Sequence, residues 1–248
     1  MNEPLKSLEP QIVWHYFREI LEIPRPSKKE EKIIAYLEDF GKQHKLETLR
    51  DAIGNILIRK PGTKGYENKQ TVVLQSHIDM VCEKNSDVQH DFDKDPIQTH
   101  IVDGWVKAKG TTLGADDDIG VATQLAILAA DNLQHGPIEC LFTVDEETGL
   151  TGAFELDKNL LKGRILLNLD SEDEGELFIG CAGGQDTVIE FPFEKQNIPA
   201  DHHLYKITVS GLKGGHSGDD IHRGLVMRIV EVGSISEYHI KAHFLTVA

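Results

Sequence analysis

The chain has 248 residues, 40% of them hydrophobic, which is enough apolar material for the core of one large or two small domains. Its formal net charge of -15 argues against a nucleic-acid or anionic-membrane partner, because both require a basic face. No apolar run is long enough for a signal-peptide core or a membrane span. The three cysteines form no CxxC pair, so we expect a reducing, cytoplasmic setting rather than a disulfide framework or a thiolate zinc site.

The first sixty residues predict two helices and a strand pair. Residues 10–23 carry apolar side chains at helical spacing. Ser27 followed by Glu30 predicts a capping box, in which these side chains accept the first backbone N–H groups of a second helix. Residues 46–50 and 55–59 then predict two strands that flank a turn.

Residues 71–79, with the sequence TVVLQSHID, form an apolar run that stops on a histidine and an aspartate. A run without alternation predicts a strand of a parallel sheet that is covered on both faces. His77 and Asp79 then lie at the carboxyl end of this strand. Ligands of open α/β sheets bind at the carboxyl ends of the strands, so this edge is the candidate site.

Two further apolar runs, residues 138–144 and 164–169, also stop on acids, and another acid precedes the amphipathic segment 120–130. These acids are Asp145, Glu146, Glu147, Asp170 and Asp116. Each acid alone is more often a solvated strand end or a helix cap. Three strands that end in possible ligands nevertheless favour a metal site, and one histidine with several carboxylates suits Zn, Mn or Co.

The pattern changes after Gly183 and Gly184. Residues 187–193 and 205–210 alternate apolar and polar side chains, which predicts half-exposed antiparallel strands. We therefore expect an α/β fold with a mostly parallel central sheet flanked by helices in residues 1–186, followed by the start of a smaller α+β domain.

Five motifs occur in a fixed order: HID at 77–79, GTTLGADDDIG at 110–120, DEETG at 145–149, NLDSE at 168–172 and GLKGGHSG at 211–218. Together they resemble the dinuclear metallopeptidases of family M20, and within it the aminoacyl-histidine dipeptidases. The resemblance implies that dipeptides with a carboxyl-terminal histidine are hydrolysed by a water molecule activated between two Zn ions, with Mn or Co also possible. Another M20 peptidase or deacylase activity, or a catalytically inactive truncated remnant, stays open as an alternative.

The resemblance also implies a set of metal ligands. His77 and Asp170 would hold one metal, Glu147 would hold the other, and Asp116 would bridge the two. In this family a cis peptide bond commonly follows the bridging aspartate, so the bond between Asp116 and Asp117 is expected to be cis.

Three more residues take catalytic roles by resemblance. Asp79 would fix the orientation of the His77 ring, and Glu146 would act as the general base. His216 would lie on the smaller domain, which acts as a lid in this family, and would stabilise the tetrahedral intermediate, often from the partner subunit. Without the resemblance, His216 is simply a histidine in a glycine-rich turn.

The resemblance ends near Gly224. Members of the family are longer, and a histidine near their carboxyl end completes the second metal site. We therefore expect a truncated chain with the start of the lid domain at residues 187–224 and a divergent tail at 225–248. The expected partner is a short peptide substrate, with no nucleic acid and no membrane, and a family-like homodimer would need a lid domain that is incomplete in this chain.

Overall fold

The computed structural model describes residues 2–171 and 173–181. The chain divides into two compact units, Met1–Glu174 and Gly175–Ala248, and the helices and strands of the described residues all belong to the first unit. The predicted lid domain, the predicted tail and His216 lie outside the described residues. The predicted domain limits therefore stay predictions.

Four α-helices are present in the described residues, after a short 3-10 helix at Glu3–Ser7. They are α1 at Gln11–Leu21, α2 at Glu31–Gln43, α3 at Ala115–Ala129 and α4 at Thr151–Phe154. The apolar spacing of the sequence predicts the buried faces of the first two helices, since Phe17 and Ile20 of α1 and Ile33 and Leu37 of α2 are all buried. No helix among the described residues has the length and apolarity needed to cross a membrane.

Within the described residues, five strands form the central sheet: β1 Glu47–Arg50, β2 Ile56–Lys60, β3 Val72–His77, β6 Ile138–Thr143 and β7 Ile165–Asn168. Their order across the sheet is β1-β2-β6-β3-β7. Strands β6, β3 and β7 run parallel, whereas β1 and β2 add an antiparallel hairpin to the other side of β6. A separate hairpin pairs β4 Thr99–Val102 with β5 Trp105–Ala108. The predicted α/β fold, with a central sheet flanked by helices, is confirmed.

In the part of the chain that the structure describes, the two faces of the sheet are covered unequally. Leu74 and Phe142 lie on the face that packs against α1, α2 and α3 in the larger hydrophobic cluster. Val73 and Leu141 point to the opposite face, where the cluster of buried residues is small. Strand β7, at the edge, is exposed along its whole length, and Leu166 is 50% exposed.

The beginning of α3 departs from regular helical geometry. Asp116 has ψ of 108°, and the peptide bond between Asp116 and Asp117 is cis, as the resemblance implies. Residue Asp116 is exposed, whereas Asp117 and Asp118 are buried. The turn therefore presents one carboxylate outward and holds the next two inside the protein.

Candidate metal centre

The three parallel strands end at one edge of the sheet and place the sequence-predicted ligands there. Strand β3 ends on His77, and the turns after β6 and β7 carry the acids that follow. Helix α3 brings Asp116 to the same edge, 2.9 Å from the Nε2 atom of His77. Two groups of side chains have ligand atoms within 4.8 Å of one another: His77 with Asp116 and Asp170, and His77 with Glu146 and Glu147.

His77 is the most buried member of these groups, with 1% of its side chain exposed. Its Nδ1 atom lies 3.0 Å from the carbonyl oxygen of Asp79 and 3.3 Å from the carboxylate oxygen Oδ1 of the same residue. These acceptors orient the ring so that Nε2 faces Asp116 and Asp170. Burial lowers the pKa of His77, but the hydrogen bonds to Asp116 and Asp79 and the charge of Asp170 raise it overall to about 11.

Asp79 connects the end of β3 to the turn that follows β6. Its carboxylate accepts hydrogen bonds from the backbone N–H groups of Glu146 at 2.9 Å and Glu147 at 3.2 Å. Burial raises the pKa of Asp79, but the bonds from His77, from the Glu146 backbone and from the Ser27 hydroxyl lower it below its ordinary value overall. Asp79 therefore stays ionised and fixes both the imidazole and the two glutamates.

Two other acids of the site, Glu147 and Asp170, have raised pKa values and hold protons more tightly than ordinary carboxyl groups. Burial raises the pKa of Glu147 to about 7, with a further contribution from the charge of Asp116. Burial also raises the pKa of Asp170, together with its hydrogen bond to Asp116. Acids this close together do not all ionise unless a positive charge compensates them. One imidazole with several carboxylates is a donor set that Zn, Mn or Co accepts, so the residues present fit divalent cations.

A third group of acids, Glu30, Asp79 and Asp145, is buried beside the first two. In this group, protein donors satisfy the carboxylates. Glu30 Oε1 accepts from the backbone N–H of Asp145 at 3.0 Å, and Asp145 accepts from the hydroxyls of Thr148 and Thr151. This group is therefore structural, and it lies next to the candidate metal centre.

The predicted capping box is wrong. The Ser27 hydroxyl donates to Asp79 Oδ2 at 2.7 Å instead of capping the second helix, which begins at Glu31. Glu30 accepts from the Lys28 backbone at 2.9 Å. A capping serine would have to accept a backbone N–H of the first helical turn, but Glu30 rather than Ser27 occupies the N-cap position of α2 and no side-chain cap bond forms. Sequence spacing carries no signal for the contact between Ser27 and Asp79.

The chain is similar in sequence to known peptidases. The model of peptidase family M20/M25/M40 matches residues 73–231. Cytosol non-specific dipeptidase of Escherichia coli strain K12 is 52% identical over 221 residues, which make up 89% of this chain and 46% of that protein.

Two solved structures are similar in fold. Aminoacylhistidine dipeptidase from Vibrio alginolyticus matches with a TM-score of 0.72 and 50% identity, over 90% of this chain and 45% of that one. Aminopeptidase PepT from Bacillus cereus matches with a TM-score of 0.56 and 27% identity, over 66% of this chain and 44% of that one. The chain thus spans about half the length of these relatives.

Proposed function

The chain belongs to peptidase family M20/M25/M40, and from this premise we propose that it carries the metal centre of a dipeptidase. The observation that carries the proposal is the convergence of His77 and four carboxylates at the carboxyl edge of the sheet. Dipeptides are the proposed substrate class, since both the Escherichia coli relative and the Vibrio alginolyticus structure are named dipeptidases. Within that class, we propose a preference for dipeptides with a carboxyl-terminal histidine, in line with the name of the Vibrio alginolyticus aminoacylhistidine dipeptidase.

We assign the ligands as the family resemblance implies. His77 and Asp170 would hold one cation, Glu147 the second, and Asp116 would bridge them. The two groups of ligand atoms that lie within 4.8 Å of one another support this assignment. Asp116 and Asp170 belong to one group with His77, and Glu147 belongs to the other. Zinc is the proposed metal, and Mn or Co fits the same donors. The chemistry that two bound cations supply is Lewis acidity, which lowers the pKa of a water molecule toward neutrality.

Glu146 is the proposed general base and Asp79 a positioning residue. Glu146 would take a proton from the attacking water and pass it to the leaving amine. Its backbone N–H donates to Asp79 Oδ1, so the turn that carries it is fixed to the end of β3. His216 is proposed to stabilise the oxyanion, and it lies outside the described residues. The family-like homodimer also stays a prediction.

We place the reaction in the cytoplasm. The Escherichia coli relative is named a cytosol enzyme. Cys82, Cys140 and Cys181 are all unpaired, as a reducing compartment favours.

The test is hydrolysis of an Xaa-His dipeptide by the zinc-loaded chain, compared with a tripeptide and an N-acyl amino acid. We expect dipeptide hydrolysis to be fastest, and Glu146→Gln to lower kcat at least about 100-fold because the general base is removed. Zinc stoichiometry should be unchanged in this variant. Glu155→Gln, an exposed glutamate nearby in sequence, is the matched control and should keep full activity.

Two results would contradict the proposal. Turnover that survives Glu146→Gln would remove the assigned base. A chain that binds zinc through His77 but hydrolyses none of the three substrates would be a binding remnant and no dipeptidase.

A further inference from the structure

Residues 25–30, with the sequence RPSKKE, connect α1 to α2, and we call them the 25–30 segment. This segment contacts three of the four places that carry candidate metal ligands: the end of β3, the turn after β6 and the start of α3. Its partners there are Asp118, Asp79 and Asp145. None of the residues of the segment is among the assigned ligands or bases.

Arg25 makes the first connection. Its Nε donates to Asp118 Oδ1 at 2.8 Å, its second terminal nitrogen pairs with Asp118 Oδ2, and both side chains are 1% exposed. The other end of the guanidinium donates to the carbonyl oxygens of Ile20 and Ile23, at the end of α1. Among the described residues, Arg25 is the only buried lysine or arginine. It therefore neutralises an acid two residues beyond Asp116 and ties the start of α3 to α1.

The same segment also holds the end of β3. The Ser27 hydroxyl donates to Asp79, and the Arg25 carbonyl oxygen accepts from the Met80 backbone at 3.3 Å. Pro26 pairs with Met80 in a parallel bridge. Ser27 thus holds the Oδ2 atom of Asp79, whereas Oδ1 is the carboxylate oxygen nearer to His77.

Glu30 makes the third connection. Its Oε1 atom accepts from the backbone N–H of Asp145, which directly precedes the two glutamates of the site. It also accepts from Lys28 within the segment, which fixes the carboxylate itself. One short stretch of chain therefore connects the end of β3, the turn after β6 and the start of α3.

We propose that the 25–30 segment is a positioning element of the metal centre, which acts through Asp118, Asp79 and Asp145 and touches neither metal nor substrate. This inference rests on the proposed metal centre and deepens it. Groups that hold metal ligands in place without touching the metal commonly change metal affinity about 10–100-fold when they are mutated. The buried ion pair and the hydrogen-bonded carboxylates described above are groups of this kind.

The first test is the zinc affinity of Ser27→Ala, measured in the 248-residue chain by competition with a chromophoric chelator. We expect about tenfold weaker binding, because Asp79 loses a donor and orients His77 less well. Ser27→Thr keeps a hydroxyl and should restore the affinity. Ser7→Ala is the matched control, since Ser7 donates only to the exposed Pro4 carbonyl oxygen.

The second test removes the buried pair without leaving a lone charge. The double variant Arg25→Met, Asp118→Leu replaces both partners by apolar side chains of similar size, which buried ion pairs often tolerate in stability. We expect the metal-free variant to fold, as followed by urea unfolding, and to bind zinc at least about tenfold more weakly. Glu139→Ala controls for simple destabilisation, because Glu139 is buried near the opposite end of β6.

The outcomes separate the two proposals. Zinc affinity that is unchanged in Ser27→Ala and in the double variant, but lost in His77→Ala, would overturn the positioning role and leave the metal centre intact. An affinity loss of the same size in Glu139→Ala would also overturn it, since general destabilisation would then explain the effect. Absence of His77-dependent zinc binding in the unaltered chain would overturn the metal centre and this inference with it.

Discussion

At the scale of single residues, Gly120 shows how tightly the start of α3 is packed against β3. A Cβ atom at this position would collide with the Asp117 carboxylate and the Ser76 hydroxyl. The Ser76 hydroxyl is also hydrogen-bonded to the Gln124 side-chain amide at 2.7 Å, so it has little room to move away. The glycine therefore allows α3 to approach the strand that ends in His77.

We predict that Gly120→Ala lowers the free energy of unfolding by about 1–3 kcal/mol, the usual cost of overpacking a buried site. Urea unfolding of the metal-free chain measures it. Gly149→Ala is the control, because its Cβ would meet its nearest neighbour at an ordinary distance of 3.6 Å. Equal stabilities for the two variants would contradict the packing argument.

At the scale of elements, Arg59 of β2 contacts two glutamates that differ in burial. Its Nε donates to Glu139 of β6 at 2.8 Å, and its Nη1 donates to Glu47 of β1 at the same distance. The Glu139 side chain is 2% exposed and the Glu47 side chain 54% exposed. Glu139 also accepts from the backbone of Lys162 and Gly163, so it connects β6 to the segment that enters β7.

We predict that Glu139→Ala lowers the free energy of unfolding by about 3 kcal/mol, because it leaves buried donors without acceptors. Glu47→Ala removes the exposed partner of the same arginine and should cost less than about 1 kcal/mol. Chemical unfolding of both variants gives the comparison directly. Similar values for the two would show that burial does not decide the strength of these pairs.

The elements that position the site could be predicted from the sequence because they depend on local patterns. An uninterrupted apolar run predicts β3, and the residues that end it are adjacent in the chain, so His77 and Asp79 follow at once. The apolar runs of β6 and β7 also stop on acids, which predicted that these strands and the start of α3 meet β3 at one edge. The family resemblance added the cis bond after Asp116. The roles assigned to the ligands and bases stay predictions.

Other features could not be predicted because they depend on contacts between distant residues. Nothing in the spacing of Arg25 distinguishes a fully buried arginine from an exposed one, since its partner lies 93 positions away. The pattern of Ser27 and Glu30 favoured a local cap for the same reason. The apolar composition of β7 resembles that of β3, yet all four residues of β7 are exposed.

At the scale of the whole molecule, the acids of the site make stability depend on pH. The pKa of Asp117 rises from an ordinary 3.8 to about 7, chiefly through burial, and that of Glu147 rises from 4.5 to about 7. Between the ordinary and the raised pKa of each acid, the folded chain binds more protons than the unfolded chain. The free energy of unfolding therefore falls as pH rises through this range. The raised pKa of His77 acts in the same direction above pH 6.5.

We predict that the metal-free chain unfolds more easily at pH 7 than at pH 5, with a slope of up to about 1.4 kcal/mol per pH unit for each proton released. Glu147→Gln should flatten this slope, and Glu155→Gln should not. Saturating zinc should stabilise the chain more at pH 7 than at pH 5, because the ligands must lose protons to bind it. Urea unfolding with a chelator measures the pH dependence of the metal-free chain, and urea unfolding with zinc measures the stabilisation by the metal. A free energy of unfolding that increases from pH 5 to pH 7 without metal would contradict the raised pKa values of these acids.

The 25–30 segment also has a consequence for the order in which the chain assembles. Its three contacts join residues that are 52, 93 and 115 positions apart, so each closes a long loop. Contacts of this sequence separation form slowly, because the entropy of loop closure is lost before the contact stabilises anything. During synthesis, the first helices leave the ribosome well before Asp145 does. The three contacts of the 25–30 segment are therefore expected to form late, after the helices on either side of it.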